Sequence, residues 1–400
     1  MRGAAYRLSF RPDELGTCVI IAVDAEGHAL PVSTGYPWGE VPKLKRKLAR
    51  VLRDSRDALG VDGDRCDFAM AHDFLRQIDD SGQEILATLC GRTNLDTLRN
   101  FLYRKPLPPG MIDQSTLWPL IEFETPSDDF MPLEVMPFAD RTPIAEIHDF
   151  ETLSQAVMRF PGFAAVTRRL TFSTGGSSGN ALAGTRIPMK MFVHHDFEGA
   201  RREAKFLTDE FDLVGPWPRT DSDQSSATAL SMILDCRRPT PVGEPPIIDQ
   251  IQHFSCHCSR EDEDAFLQLC AEGRDPFEIM LSNFQSAVGR LAGADYERPL
   301  VFLNACNSNS PEFFDYTTWA LAFYRLSSRA VIATEAPAPD LFASAFSREF
   351  YAAILNGQPV GHSLLTAKWK LLQRWNNPMG LLYTLFGNPD LRASYLEGAP

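Results

Sequence analysis

The sequence predicts an α/β protein, a mostly parallel sheet flanked by helices and preceded by an N-terminal α+β region. Three observations predict it. Beyond Pro188, short apolar runs alternate with amphipathic segments of about 12 to 20 residues, the pattern of repeated βαβ units. Runs such as Leu300-Val301-Phe302-Leu303 are apolar at every position, as strands covered on both faces must be. The segment Gly175-Gly176-Ser177-Ser178-Gly179 reads as a connector, since no Gly-Lys-Ser/Thr follows it to make a phosphate loop, and it separates this half from a less regular one. The expected domains are therefore 1–185 and 186–400.

In the first half, the β-branched run Thr17 to Val23 followed by Asp24-Ala25-Glu26-Gly27 predicts a hairpin. Leu44, Leu48, Val51 and Leu52 fall at helical spacing and predict a helix from Val41 to Leu59. Its Lys43, Lys45, Arg46, Lys47, Arg50 and Arg53 read as a solvated face rather than a docking site for an acidic partner. Asp67 to Gly91 predicts one or two helices, Leu117 to Phe123 a strand and Phe150 to Arg159 a helix, with a Pro-rich break at Thr125 to Pro137. In the second half the expected strands are Met189–His194, Leu213–Gly215, Ile247–Cys256, Leu300–Leu303 and Ala330–Thr334. The expected helices are Gly199–Glu210, Ser225–Leu234, Pro276–Leu291, Pro311–Leu326, Ala338–Leu355 and Gly361–Gln373.

Composition narrows the function classes. With 39 Lys plus Arg against 52 Asp plus Glu, the net charge of −13 disfavours nucleic acid as a direct partner. A hydrophobic fraction of 44% with 27 Phe excludes global disorder. Met1 to Phe10 holds no apolar run, and no stretch reaches the roughly 20 apolar residues of a membrane span, so a soluble cytoplasmic protein is expected. Eight cysteines in such a chain read as reduced thiols, and Cys18, Cys66, Cys90, Cys236 and Cys270 as small core residues.

In an open parallel sheet, reactive groups gather beyond the carboxyl ends of the strands. Two places qualify: His253-Phe254-Ser255-Cys256-His257-Cys258, and Leu303-Asn304-Ala305-Cys306-Asn307-Ser308. Alternation puts Ile251, His253, Ser255 and His257 on one strand face, with His257 last in the row. Cys306 leaves its strand ahead of a helix that Ser308 or Ser310 can cap, where backbone N–H groups favour thiolate. A His and a Cys closing neighbouring strands, with one crossover helix between, form a nucleophile pair. His253 reads as an orienting histidine, and His194 and His195 as loop residues. His253, Cys256, His257 and Cys258 are each zinc-competent, but neighbours on a strand point to opposite faces and cannot close around one ion. No metal or organic cofactor is expected.

The sequence resembles the CHAT proteases, a caspase-like branch of the cysteine peptidases that includes separase-type enzymes. His253 to His257 is similar to that family's "HF-x-x-H" strand and Val301 to Cys306 to its "VxLxAC" strand. Ala330 to Thr334 matches the next core strand, and Phe350-Tyr351, Gly357 and Val360-Gly361 the following helix pair. Leu382 to Asp390 resembles the closing "YxLxGDPxL" segment, and Met131-Pro132-Leu133-Glu134-Val135 an upstream "PWE-x-L" element. His257 precedes Cys306 by about 50 positions, as in caspases. The resemblance implies a caspase-like catalytic half, an accessory N-terminal half, and a cysteine endopeptidase using His257 and Cys306. It also implies oxyanion donation from the backbone N–H groups of Cys258 and Cys306. Two departures stand out: Cys258 replaces the family's Gly, and the caspase signature around the cysteine is missing. The loop Glu335 to Asp340 matches one that lines the specificity pocket in separase-like relatives, so Glu335 and Asp340 imply preference for a basic residue, the alternative being that Asp340 only caps the helix that follows it. A dedicated protein substrate is implied, such as a gasdermin-like or other bacterial defence partner, with a separate activating protein or ligand. The alternative is a caspase-like regulatory scaffold without activity, with Cys258 as the sign of decay.

Overall fold

The structure is a computed structural model describing residues 4–59, 65–102, 118–125, 131–138, 142–171, 179–219, 225–238, 240–261, 264–288, 298–306 and 316–395. Among these residues no helix is long and apolar enough to cross a membrane. The chain forms two compact units, one of residues 1–174 with 361–385, the other of residues 175–360 with 386–400. The connector Gly175 to Ser178 lies outside the described residues.

In the first unit, β1 (Tyr6–Pro12) and β2 (Thr17–Asp24) pair antiparallel, and β2 turns through Gly27 into β3 (Ala29–Pro37). Gly27 has a φ of 86°, which a side chain resists, and Asp24 Oδ1 accepts from the N–H groups of Glu26 and His28 to close the turn. The helices are α1 (Val41–Ala58), α2 (Phe68–Cys90) and α3 (Arg92–Leu102). α2 is one continuous helix because Asp67 caps its start through the N–H of Met70 and no proline interrupts it before Gly91, the interior Gly82 being tolerated. The basic face of α1 is solvated, with Lys43 on Glu40 and Lys47 on Glu84 in exposed pairs. β4 (Leu120–Thr125) lies parallel to both β1 and β5 (Val166–Thr171), with α4 (Phe150–Val157) and the short α5 (Pro161–Ala164) between them.

In the second unit, β6 (Ala181–Gly184) stands apart from the main sheet, and β7 (Pro188–Val193), α6 (Glu198–Glu210), β8 (Asp212–Trp217) and α7 (Ser226–Leu234) follow it. The two-residue strands β9 (Arg237–Arg238) and β10 (Ile247–Ile248) pair with each other. Then come β11 (Ile251–Glu261), β12 (Asp264–Leu269), β13 (Phe277–Met280), α8 (Leu281–Val288), β14 (Arg298–Cys306), α9 (Tyr316–Arg325), β15 (Ser328–Thr334) and α10 (Asp340–Leu355). β8, β7, β11, β14 and β15 are parallel in that spatial order. α11 (Val360–Trp375), from Gly361 on, and the start of β16 (Tyr383–Gly387) fall in the first unit, and β17 (Arg392–Tyr395) of the second pairs parallel with β6. The result is the expected α/β architecture, a mostly parallel sheet between helices.

β11 is buried on both faces from Ile251 to Ser255 and Cys256. His253 and Ser255 face α6 and α10, while Phe254 stacks toward Phe323 of α9 and Gln252 donates to Ile233 O of α7. At the amino edge of these strands, Asp249, fully buried, takes ion pairs from Lys190 and Arg238.

Two expectations are corrected. Pro276 to Leu291 is not one helix: Phe277–Met280 is a strand that lies antiparallel to β12, and only Leu281–Val288 is helical. Nor does the His257 strand end there. Its parallel ladder with β14 stops at His257, but β11 runs on to Glu261 and hairpins into β12, so β12, β13 and α8 all intervene before β14.

Candidate active site

The parallel register of β11 and β14 runs Ile251↔Leu300, His253↔Phe302, Ser255↔Asn304 and ends at His257↔Cys306. Adjacent strands lie about 4.8 Å apart, so the backbones of His257 and Cys306 are neighbours at the last rung. Phe302 and Asn304 face α6 and α10, and Cys306 is the next position of that parity. Residues 307–315, with the expected caps Ser308 and Ser310 and the start of the expected helix at Pro311, lie outside the described residues.

β11 changes partner beside His257. Its outer edge pairs with β7 as far as Ser255↔Val193, then with β12 from His257↔Gln268 onward. The ends of β7 and β12 therefore abut, and His194 forms an isolated bridge with Cys270. This junction delivers the surroundings of His257: its ring meets Phe197 edge-to-face at 4.3 Å and His194 at 4.6 Å between centroids. His194 is thus not a loop residue but a buried one, and burial together with the neighbouring His257 holds its imidazole down at about 4. Cys256 and Cys258 point to the opposite face, where burial pushes both thiols up. His253 lies with a different set of partners, so the four zinc-competent residues of this strand do not converge.

Beneath the rung is a polar cluster that the sequence did not disclose. Glu203 of α6, 1% exposed, accepts at Oε1 from Asn304 Nδ2 and Ser347 Oγ, both at 2.6 Å, and stands with Oε2 3.1 Å from His253 Nε2. His253 Nδ1 lies 3.0 Å from the Tyr351 hydroxyl. Burial alone would raise the Glu203 carboxyl, but the attraction of His253 and the hydrogen bonds from His253, Ser347 and Ser255 outweigh it and hold the group below its ordinary value. Burial, with the Glu203 charge beside it, pushes the Tyr351 phenol well up. The cluster ties β11, β14, α6 and α10 together within four residues of His257 and two of Cys306. An i, i+4 pair such as Ser347 and Tyr351 on one helix face is legible in sequence, but its partners on α6 and β14 are not.

The two carboxylates expected to select substrate differ in setting. Asp340 stands in the first turn of α10, whose N-cap is Pro339, and its Oδ2 accepts from Gly199 N–H at 2.6 Å, serving the start of α6 instead of its own helix. Burial raises its carboxyl despite that bond. Glu335, 8% exposed, follows the last residue of β15, and the register Phe302↔Ile332 carries it to the level of Ala305.

No family model matches the chain, and no curated protein matches it. Among solved structures, the Saccharomyces cerevisiae separase–securin complex is similar at 11% identity and a TM-score of 0.44, over 98% of this chain and 30% of that one. A second structure of that complex gives 9% identity and a TM-score of 0.45, over 96% and 30%. The complex of the Porphyromonas gingivalis RgpB pro- and mature domains gives 13% identity and a TM-score of 0.42, over 77% and 71%. The chain thus spans less than a third of the length of the separase chains it matches. The fold class rests on the strand order and register above, not on these scores.

Proposed function

We propose that the protein is a cysteine endopeptidase of the caspase-like CHAT type, with His257 and Cys306 as its dyad. The observation that carries this reading is the final rung of the parallel ladder, which makes the two residues backbone neighbours at the carboxyl edge of the sheet. His257 accepts the thiol proton, and the Cys306 sulfur adds to the peptide carbonyl carbon. The C–N bond then breaks as His257 returns the proton to the leaving amine. Water, deprotonated by His257, cleaves the resulting thioester and regenerates the thiol. The N–H groups of Cys258 and Cys306 serve as oxyanion donors, which requires that neither is held in the last rung; loss of one such donor costs about 100- to 1000-fold in rate in a comparable hydrolase.

Glu335 and Asp340 are the carboxylates proposed for a basic residue before the scissile bond, Asp340 also accepting from Gly199 N–H. A dedicated protein target and a separate activator follow from the sequence resemblance alone. A peptidyl acyloxymethylketone is expected to label Cys306 only when His257 is present, and Cys306→Ala and His257→Ala each to abolish proteolysis without changing the melting temperature. Near-normal turnover in either variant removes that residue from the mechanism. A positional-scanning peptide library reads specificity: preference for Arg or Lys, lost in Glu335→Ala, supports the pocket, and cleavage after Leu or Asp refutes it.

A further inference from the structure

We propose that His194, Asp196 and Cys270 form a binding site for a borderline divalent cation of the zinc class, set against His257. The site is built by backbone. His194 N–H donates to Ser255 O at 2.8 Å, and Cys270 N–H to Val193 O at 3.3 Å, which pins the abutting ends of β7 and β12. The turn closed by Phe197 N–H on His194 O then carries Asp196 back over the histidine.

The donor atoms already stand at the separations that one ion imposes. Tetrahedral zinc, with bonds of about 2.3 Å to sulfur and 2.0–2.1 Å to nitrogen or oxygen, holds its S and N ligands about 3.5 Å apart and its N and O ligands about 3.4 Å apart. Cys270 Sγ lies 3.6 Å from His194 Nδ1, and Asp196 Oδ2 lies 3.8 Å from the same nitrogen. All three donors are within 4.8 Å of one another. A thiol and a carboxylate on one imidazole nitrogen do not make a catalytic triad, which needs the nucleophile on one ring nitrogen and the orienting acid on the other. They do make the convergent donor set of a metal. On binding, the Cys270 thiol releases its proton to solvent and the sulfur supplies the new bond. Asp196 is 73% exposed, which leaves the fourth position open to water, as in other three-ligand zinc sites.

The consequence for catalysis rests on the peptidase reading. The His194 ring lies 4.6 Å from that of His257, so an ion held on His194 stands directly beside the proposed dyad and crowds it. Zinc is therefore expected to inhibit.

The test uses the Cys306→Ala protein, which lacks the thiol of the proposed dyad, kept reduced with a phosphine. Titration with zinc chloride in a calorimeter is expected to show one equivalent bound, and cobalt(II) in its place a thiolate-to-metal charge-transfer band that Cys270→Ser removes. Asp196→Asn, a surface change that spares folding, is expected to weaken zinc by at least the roughly tenfold that loss of an outer-shell partner costs. Absence of zinc binding, or binding unaltered by both substitutions, overturns the site. Zinc bound by a chain whose Cys306 no peptidyl acyloxymethylketone labels upholds the site and sinks the peptidase reading. Activity in the unsubstituted protein that survives saturation with zinc overturns the link to His257.

Discussion

Removing the Glu203 carboxylate tests whether the buried cluster holds β11 and β14 to α6 and α10. In Glu203→Ala, His253 Nε2, Asn304 Nδ2 and Ser347 Oγ all lose the bond to Glu203, itself 1% exposed, while Ser347 Oγ keeps Ser344 O. Loss of a bond at a buried group costs about 1–3 kcal/mol, so counting His253 and Asn304 a loss of roughly 2–6 kcal/mol is expected. Glu203→Gln keeps the volume and an oxygen for Asn304 and Ser347, and its amide can donate to His253 Nε2 if Nδ1–H donates to Tyr351. It loses only the charge in two hydrogen bonds, about 1 kcal/mol each, so roughly 2 kcal/mol is expected. Urea melts at pH 7, with m-values compared, measure both. Because the folded Glu203 carboxyl lies below its ordinary value, its contribution is complete above the unfolded value of about 4.3 and is lost as pH falls through the folded one. The gap between wild type and Glu203→Gln should therefore close on acidification below about pH 4.3. A Glu203→Ala cost under about 1 kcal/mol, or a Gln variant as unstable as the Ala variant, would refute the reasoning.

Lys368 of α11, buried beside the Glu134–Arg169 pair, is pulled by burial from 10.5 down to about 7, so between those values the unfolded chain binds the extra proton and stability rises with pH. Lys368→Met should raise the unfolding free energy most below pH 7, by roughly 3–4 kcal/mol at most once the lost bond to Gly162 O is counted, with the gain shrinking toward pH 10 in urea melts; a gain independent of pH contradicts this. Gly199→Ala would put a Cβ 2.5 Å from the Asp340 carbonyl oxygen, a backbone atom that cannot swing aside, and thermal melts should show a loss of about 1–3 kcal/mol. Asp67→Ala removes the cap on α2 and should cost about 1 kcal/mol by the same measurement.

Local pattern carried much of the fold. The strands at Met189, Leu300 and Ala330 and the helices at Val41, Gly199 and Ala338 were legible because apolar runs and helical spacing repeat within one element. The row His253, Ser255, His257 was legible for the same reason, since alternation needs no partner strand. Phe277 to Met280 was misread because a four-residue segment such as Phe277-Glu278-Ile279-Met280 fits a helix turn or a strand equally, and only pairing with β12 decides between them. The pairing of His257 with Cys306 depended on register, which the chain between them does not encode locally. What tertiary structure alone decided is what surrounds that rung. Glu203 reaches His253 across 50 positions, and His194 reaches Cys270 across 76. Such contacts arise where a helix packs on a sheet face or two strands abut along a third, and no periodicity in a single segment records them.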